Sequence, residues 1–136
     1  MRIKRLLLRN FRQFYGDCVL EFEVDDQTRI TVIHGENGAG KTSLLNAFKW
    51  VLYGNTDFDT GEQTILNELA LSETKPGEIT ELFLELEFEH EGSVYTVSRK
   101  QPVTKPFIEA GAAAKASSRP TTEMHSSAIV TMTYAN

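Results

Sequence analysis

The chain has 136 residues, a formal net charge of −5 and a hydrophobic fraction of 40%, which suits one soluble domain with a modest core and is too short for two. No apolar run approaches the roughly 20 residues of a membrane span, and the basic N-terminus lacks the apolar block of a secretory leader, so no membrane partner is expected. Cys18 is the only cysteine; it excludes an intrachain disulfide, reads as a small buried hydrophobe, and fits a reducing, cytoplasmic setting.

Residues 2–9 set Ile3, Leu6 and Leu8 against Arg2, Lys4, Arg5 and Arg9, the pattern of a half-buried strand. The first dozen residues carry five cations and no acid. The simplest account is a solvated basic face, with phosphate or nucleic acid as the alternative partner. The stretch Phe11 to Asp17, with Gly16-Asp17 in it, reads as a turn, and Leu20, Phe22 and Val24 alternate as the next strand. Residues 30–34 (Ile30-Thr31-Val32-Ile33-His34) are continuously apolar, as in a strand buried on both faces of a sheet, with His34 packed at its end.

That strand pattern runs into Gly35-Glu36-Asn37-Gly38-Ala39-Gly40-Lys41-Thr42, which matches GxxxxGK[ST], the Walker A phosphate loop. A helical pattern over 43–53 follows, with Leu44, Phe48, Val51 and Leu52 as its core stripe, Trp50 and Tyr53 as packing residues, and Gly54 as its C-terminal cap. Each residue type has a physical reason. Gly38 and Gly40 permit unusual dihedrals and let backbone N–H groups close on a polyphosphate. The helix that follows offers unpaired amides and the positive end of its dipole. Lys41 is the cation for the β- and γ-phosphates of ATP, and Thr42 is the expected Mg²⁺ ligand.

Downstream, 55–62 is a polar loop and 64–70 fits either a short helix or a strand. Leu82, Leu84, Leu86 and Phe88 then alternate with Glu81, Glu85, Glu87 and Glu89, Glu91-Gly92 makes a tight turn, and 94–99 returns as the second arm of a hairpin. One-sided glutamates on a strand are the signature of a wet face rather than of a carboxylate centre. His90 and His125 have no partners at metal-ligand spacing. From Val103 the composition shifts to Ala, Ser and Thr. The organisation expected is therefore a domain over 1–102 and a flexible or irregular tail over 103–136.

The Phe11-Arg12 pair in a first hairpin, followed by the loop Gly35–Thr42 and Ser43-Leu44-Leu45, resembles the N-terminal lobe of the SMC-like ATPases, an AAA_23-like P-loop group that includes the SbcC, DndD and RecF types. Phe14-Tyr15-Gly16 and Leu52-Tyr53-Gly54 lean toward the SbcC and DndD side, and the likeness covers about residues 1–100. It implies an α/β P-loop NTPase lobe of the ABC/SMC type, with antiparallel hairpins flanking a strand–loop–helix unit. It further implies ATP held by Asn37, Gly38, Ala39, Gly40, Lys41, Thr42 and Ser43, with Arg12 near the nucleotide or a dimer interface.

The resemblance also implies partners: a C-terminal ATPase lobe, a head-to-head dimer, DNA in the full assembly and a nuclease subunit, in repair or anti-phage defence. The acidic magnesium strand, the Ser-Gly-Gly signature and the coiled-coil heptads of such proteins have no match here. A truncated or diverged member that binds ATP without efficient turnover is therefore expected. Two alternatives stand beside it: a transporter-type ATP-binding subunit, with Phe14 or Tyr15 stacking on adenine, and a non-catalytic structural fragment. Small GTPases and kinases are disfavoured, since Asn-Lys-x-Asp and a lid-like arginine cluster are lacking.

Overall fold

The computed structural model describes residues 1–22, 30–54, 65–106 and, as backbone, 129–135. Strands β1 (Arg2–Phe11), β2 (Phe14–Glu21), β3 (Ile79–His90), β4 (Ser93–Thr104) and β5 (Ile129–Ala135) form one antiparallel sheet in the order β2-β1-β3-β4-β5. The helices among the described residues are α1 (Lys41–Tyr53) and α2 (Glu68–Glu73).

The alternation in sequence sets which face is buried. Leu6 and Leu8 of β1 pair with Leu86 and Leu84 of β3, and all four are fully buried. On this face α1 lays down Leu44, Ala47, Trp50 and Val51, every one of them buried. Phe48 and Leu52 pack at the margin, so the expected stripe is present. Phe11 stands against Trp50 with ring centroids 6.3 Å apart, and Phe22 against Phe48 at the same distance.

The opposite face carries the charges. Arg5 reaches Glu85 at 3.4 Å, while Arg9 pairs with Asp17 at 2.5 Å and lies 4.0 Å from Glu81. Lys100 approaches Glu81 from the other side. The hydrogen bond to Asp17 raises the Arg9 pKa, and the same bond holds the Asp17 carboxyl below its ordinary value. The glutamate row is thus a wet face, and Arg5 and Arg9 are matched to acids instead of forming a bare basic strip.

The hairpin turn at Glu91–Gly92 has positive φ at both positions, as the expected tight turn requires. Gly54 ends α1 in the left-handed region, its N–H donating to the Trp50 carbonyl. A side chain there would strike the Arg99 guanidinium, which stacks over the Trp50 ring and whose pKa is lowered by burial.

Several expectations need correction. The turn after β1 is only Arg12–Gln13, and β2 begins at Phe14. Gly16-Asp17 is not a turn but part of a bulge, where the register shifts between Arg9 and Phe11 and the Gly16 N–H donates to Asn10 Oδ1. The expected strand over 30–34 does not form, and Ile30 and Val32 are 84% and 81% exposed. A central strand needs a ladder on both edges, and no described strand pairs with this segment. His34 is accordingly exposed instead of packed, and Tyr53, 79% exposed at the free side of α1, is not a packing residue. The ambiguous stretch 64–70 contains a single bridge at Leu66 and then α2. Beyond position 102, β4 runs on to Thr104 and 129–135 form β5, so strand structure extends into the stretch expected to be irregular. Val24, the whole of the 55–62 loop and residues 107–128 with His125 lie outside the described residues.

Candidate functional site: the phosphate loop and the turn above it

The loop over 35–40 enters α1 through two glycines that no other residue type would replace without strain. Gly38 has φ 86° and Gly40 φ 101°. At Gly40 a Cβ would sit 2.8 Å from Gln13 Nε2 and 3.0 Å from a Phe14 ring carbon. Gly40 is also the residue before the helix, and it supplies no side-chain cap. The first-turn amides of α1, which have no carbonyl four residues back to bond, are left facing the loop. The Leu44 N–H closes the first helical bond onto the Gly40 carbonyl at 2.8 Å.

Lys41 folds back over the loop. Its Nζ donates to the Gly35 and Glu36 carbonyls at 2.5 and 2.7 Å. An exposed ammonium held, among the described residues, by two neutral carbonyls is available to a stronger anionic acceptor. A cleft of about 460 Å³ opens here, lined by Arg12, Gln13, Asn37, Gly38, Gly40, Lys41, Thr42 and Ser43. Seven of the eight residues expected to bind nucleotide are therefore brought together. Ala39 does not line the cleft, and its N–H is bonded to the Glu36 carbonyl at 3.2 Å. Ser43 lines it but is 5% exposed, and its hydroxyl donates to Gln13 Oε1 at 2.5 Å.

Arg12 reaches the cleft because the backbone beneath it is held firmly. It has φ 49°, inside the left-handed region, as does Asn10 at φ 54°. The Arg12 N–H donates to the Ile65 carbonyl at 2.8 Å, and the Asn67 N–H to the Asn10 carbonyl, also at 2.8 Å. The Asn67 side chain does two jobs. Its Nδ2 donates to the Arg12 carbonyl at 2.6 Å, and its Oδ1 caps α2 by accepting from the Ala70 N–H at 3.0 Å. Phe11, fully buried, pins the turn to the core between these bonds.

Sequence reading overlooked Gln13 and Asn67. Asn67 had a local signal, an Asn directly before an acidic residue at a helix start. Gln13 had none, because its role comes from the hairpin turn folding over a loop nearly thirty residues away, a separation the Ser43 bond spans. Among the described residues no group of three or more His, Cys, Asp or Glu side chains is arranged to hold a metal, and no helix is long and apolar enough to cross a membrane.

An antiparallel sheet backed by a helix, with a glycine-rich GxxxxGK[ST] loop at the helix start, fits a P-loop NTPase. Comparison with known proteins carries the assignment further. A family model described as an AAA domain matches residues 5–127. Over 100 residues, 74% of this chain, the sequence is 41% identical to a DNA double-strand break repair Rad50 ATPase from Halobacterium salinarum. Over a stretch of the same length it is 32% identical to the SbcC component of the nuclease SbcCD from Vibrio cholerae. The chain belongs to this AAA-domain family, on the SbcC side of the SMC-like ATPases. It spans about a tenth of the length of those two relatives, 10% and 9% respectively.

Proposed function

We propose that the chain is the ATP-binding half of an SMC-like DNA repair ATPase head, with Lys41 and the amides of the first turn of α1 as its phosphate contacts. What carries this reading is the convergence of the Lys41 ammonium, the uncapped helix start and Arg12 on one cleft. Two cationic side chains and a row of unpaired N–H groups are a donor set for a polyanion and have little to offer a neutral ligand. The left-handed conformations of Gly38 and Gly40 fit the same ligand, since they let the loop backbone close on it.

In this reading Lys41 exchanges its two loop carbonyls for β- and γ-phosphate oxygens, Asn37 and Gly38 border the phosphate chain, and Arg12 approaches from the β1–β2 turn. The Thr42 hydroxyl would hold Mg²⁺, which when bound neutralises charge on the β- and γ-phosphates. Hydrolysis requires in addition a carboxylate that positions water. We assign that group to a C-terminal lobe, so this chain alone binds ATP without efficient turnover.

The exposed Ile30, Val32 and Ile33 support such a lobe, since they form an apolar segment ready for strand pairing. DNA and a nuclease subunit as partners of the complete assembly are suggested by the relatives' names, which also favour a repair role over defence; the head-to-head dimer is our own proposal, made on the resemblance to the SMC-like ATPases. With a net charge of −5, DNA association belongs to that assembly and should fall steeply with salt.

The test is calorimetric titration of ATP with Mg²⁺ onto the purified chain. Lys41→Ala should weaken binding by roughly thirtyfold or more, the value of a charge-assisted contact, and should leave the circular dichroism spectrum and unfolding midpoint unchanged. Equal affinity of the variant and the parent chain would sink the assignment.

A further inference from the structure

One side chain of the β1–β2 turn bonds the first turn of α1 and lies against the last glycine of the loop. Gln13, in the two-residue turn between β1 and β2, accepts the Ser43 hydroxyl on Oε1 at 2.5 Å, and its Nε2 lies 2.8 Å from the point a Cβ on Gly40 would occupy. One amide therefore meets the loop at both its last glycine and the first turn of α1. The turn that carries it is itself fastened, through the Arg12 N–H to Ile65 and the Arg12 carbonyl to Asn67.

We propose that Gln13 is a positioning residue of the phosphate site, and that the Ser43 hydroxyl serves this latch instead of acting as a phosphate ligand. A hydroxyl has one hydrogen to give. While Gln13 Oε1 holds it, a phosphate oxygen, itself an acceptor, gains nothing from the Ser43 side chain, which is nearly buried in any case. The latch keeps the unpaired amides of the first turn of α1 in register with Arg12, so its contribution to binding is preorganisation of the cradle. This role rests on the reading of the cleft as an ATP site; the latch itself is independent of it.

Two measurements separate the two claims. In the chain without nucleotide, Gln13→Ala and Ser43→Ala should each speed hydrogen exchange of the amides over 41–44 to the same extent. Gln13→Glu, which keeps an acceptor for Ser43, should restore the protection. In titrations of ATP with Mg²⁺, Gln13→Ala and Ser43→Ala should each weaken binding about fivefold, the net worth of one hydrogen bond, and the double variant should be no weaker than either.

Multiplied losses of about 25-fold in the double variant would mean that Ser43 contacts phosphate on its own, and would overturn the proposal. Unaltered affinity in both single variants would overturn it as well. If the parent chain binds no ATP, the functional reading falls and the exchange experiment alone decides: unchanged exchange in Gln13→Ala rejects the latch, and faster exchange that Gln13→Glu restores supports it.

Discussion

Two segments border the phosphate loop, and they are held in opposite ways. The Arg12–Gln13 turn is tied down by the backbone bond from Arg12 to Ile65, by the Asn67 side chain and by the fully buried Phe11. Residues 30–34 lead into the same loop with Ile30 and Val32 almost wholly exposed and no ladder partner among the described strands. The loop is thus built from its downstream side, where α1 and the β1–β2 turn set the geometry of the glycines, Lys41 and Ser43. Its upstream side depends on pairing that the described sheet does not provide.

The sharpest way to break the comparison is at Phe11. Its ring is fully buried against Trp50, and truncation leaves a cavity directly under the turn. Phe11→Ala should cost about 3–5 kcal/mol of stability, read from the urea midpoint. A loss under about 1 kcal/mol would mean the turn is not anchored through the core.

Asn67 comes next. Asn67→Ala removes the cap of α2 and the bond to the Arg12 carbonyl together, for a loss of roughly 2 kcal/mol. Asn67→Asp keeps an acceptor for the Ala70 N–H and removes the donor to Arg12. It should therefore lose about half as much stability while still disturbing Arg12. Equal losses in the two variants would assign the whole effect to the bond with Arg12, and equal ATP affinity in Asn67→Asp and the parent chain would show that this bond does not place Arg12 at the cleft.

What was legible in the sequence divides along the same line. The β3–β4 hairpin could be read because Leu82, Leu84 and Leu86 repeat with the period of a strand and Glu91-Gly92 suits a turn with positive φ at both positions. Helix α1 and its Gly54 cap were equally local signals. The start of β2 was misread because Gly16-Asp17 is chemically a turn pair, and only the pairing with β1 makes it a bulge. For 30–34 the apolar run reads as a strand and none forms, because a strand is a property of paired hydrogen-bond ladders and not of one composition. The site follows suit: the loop residues form one contiguous motif, whereas Gln13 acts across the fold with no adjacent signal, and the local signal at Asn67 points to its helix cap but not to its bond with Arg12.

The smallest expected effect is the most informative about the exposed segment. Val32 is 81% exposed, so Val32→Thr removes a methyl group that is already in water and adds a hydroxyl that water can satisfy. The unfolding midpoint of this chain should therefore move by no more than the equivalent of about 0.5 kcal/mol in either direction. The same change in a strand buried on both faces would desolvate a hydroxyl and cost about 1–3 kcal/mol. Measuring the substitution in the chain alone and again in the presence of a complementary lobe turns one mutation into a probe of where the strand is completed. A near-zero effect in the first state and a clear loss in the second would place the missing ladder on that lobe. A clear loss in the chain alone would mean that residues 30–34 already pair within it, and that both borders of the loop are held alike.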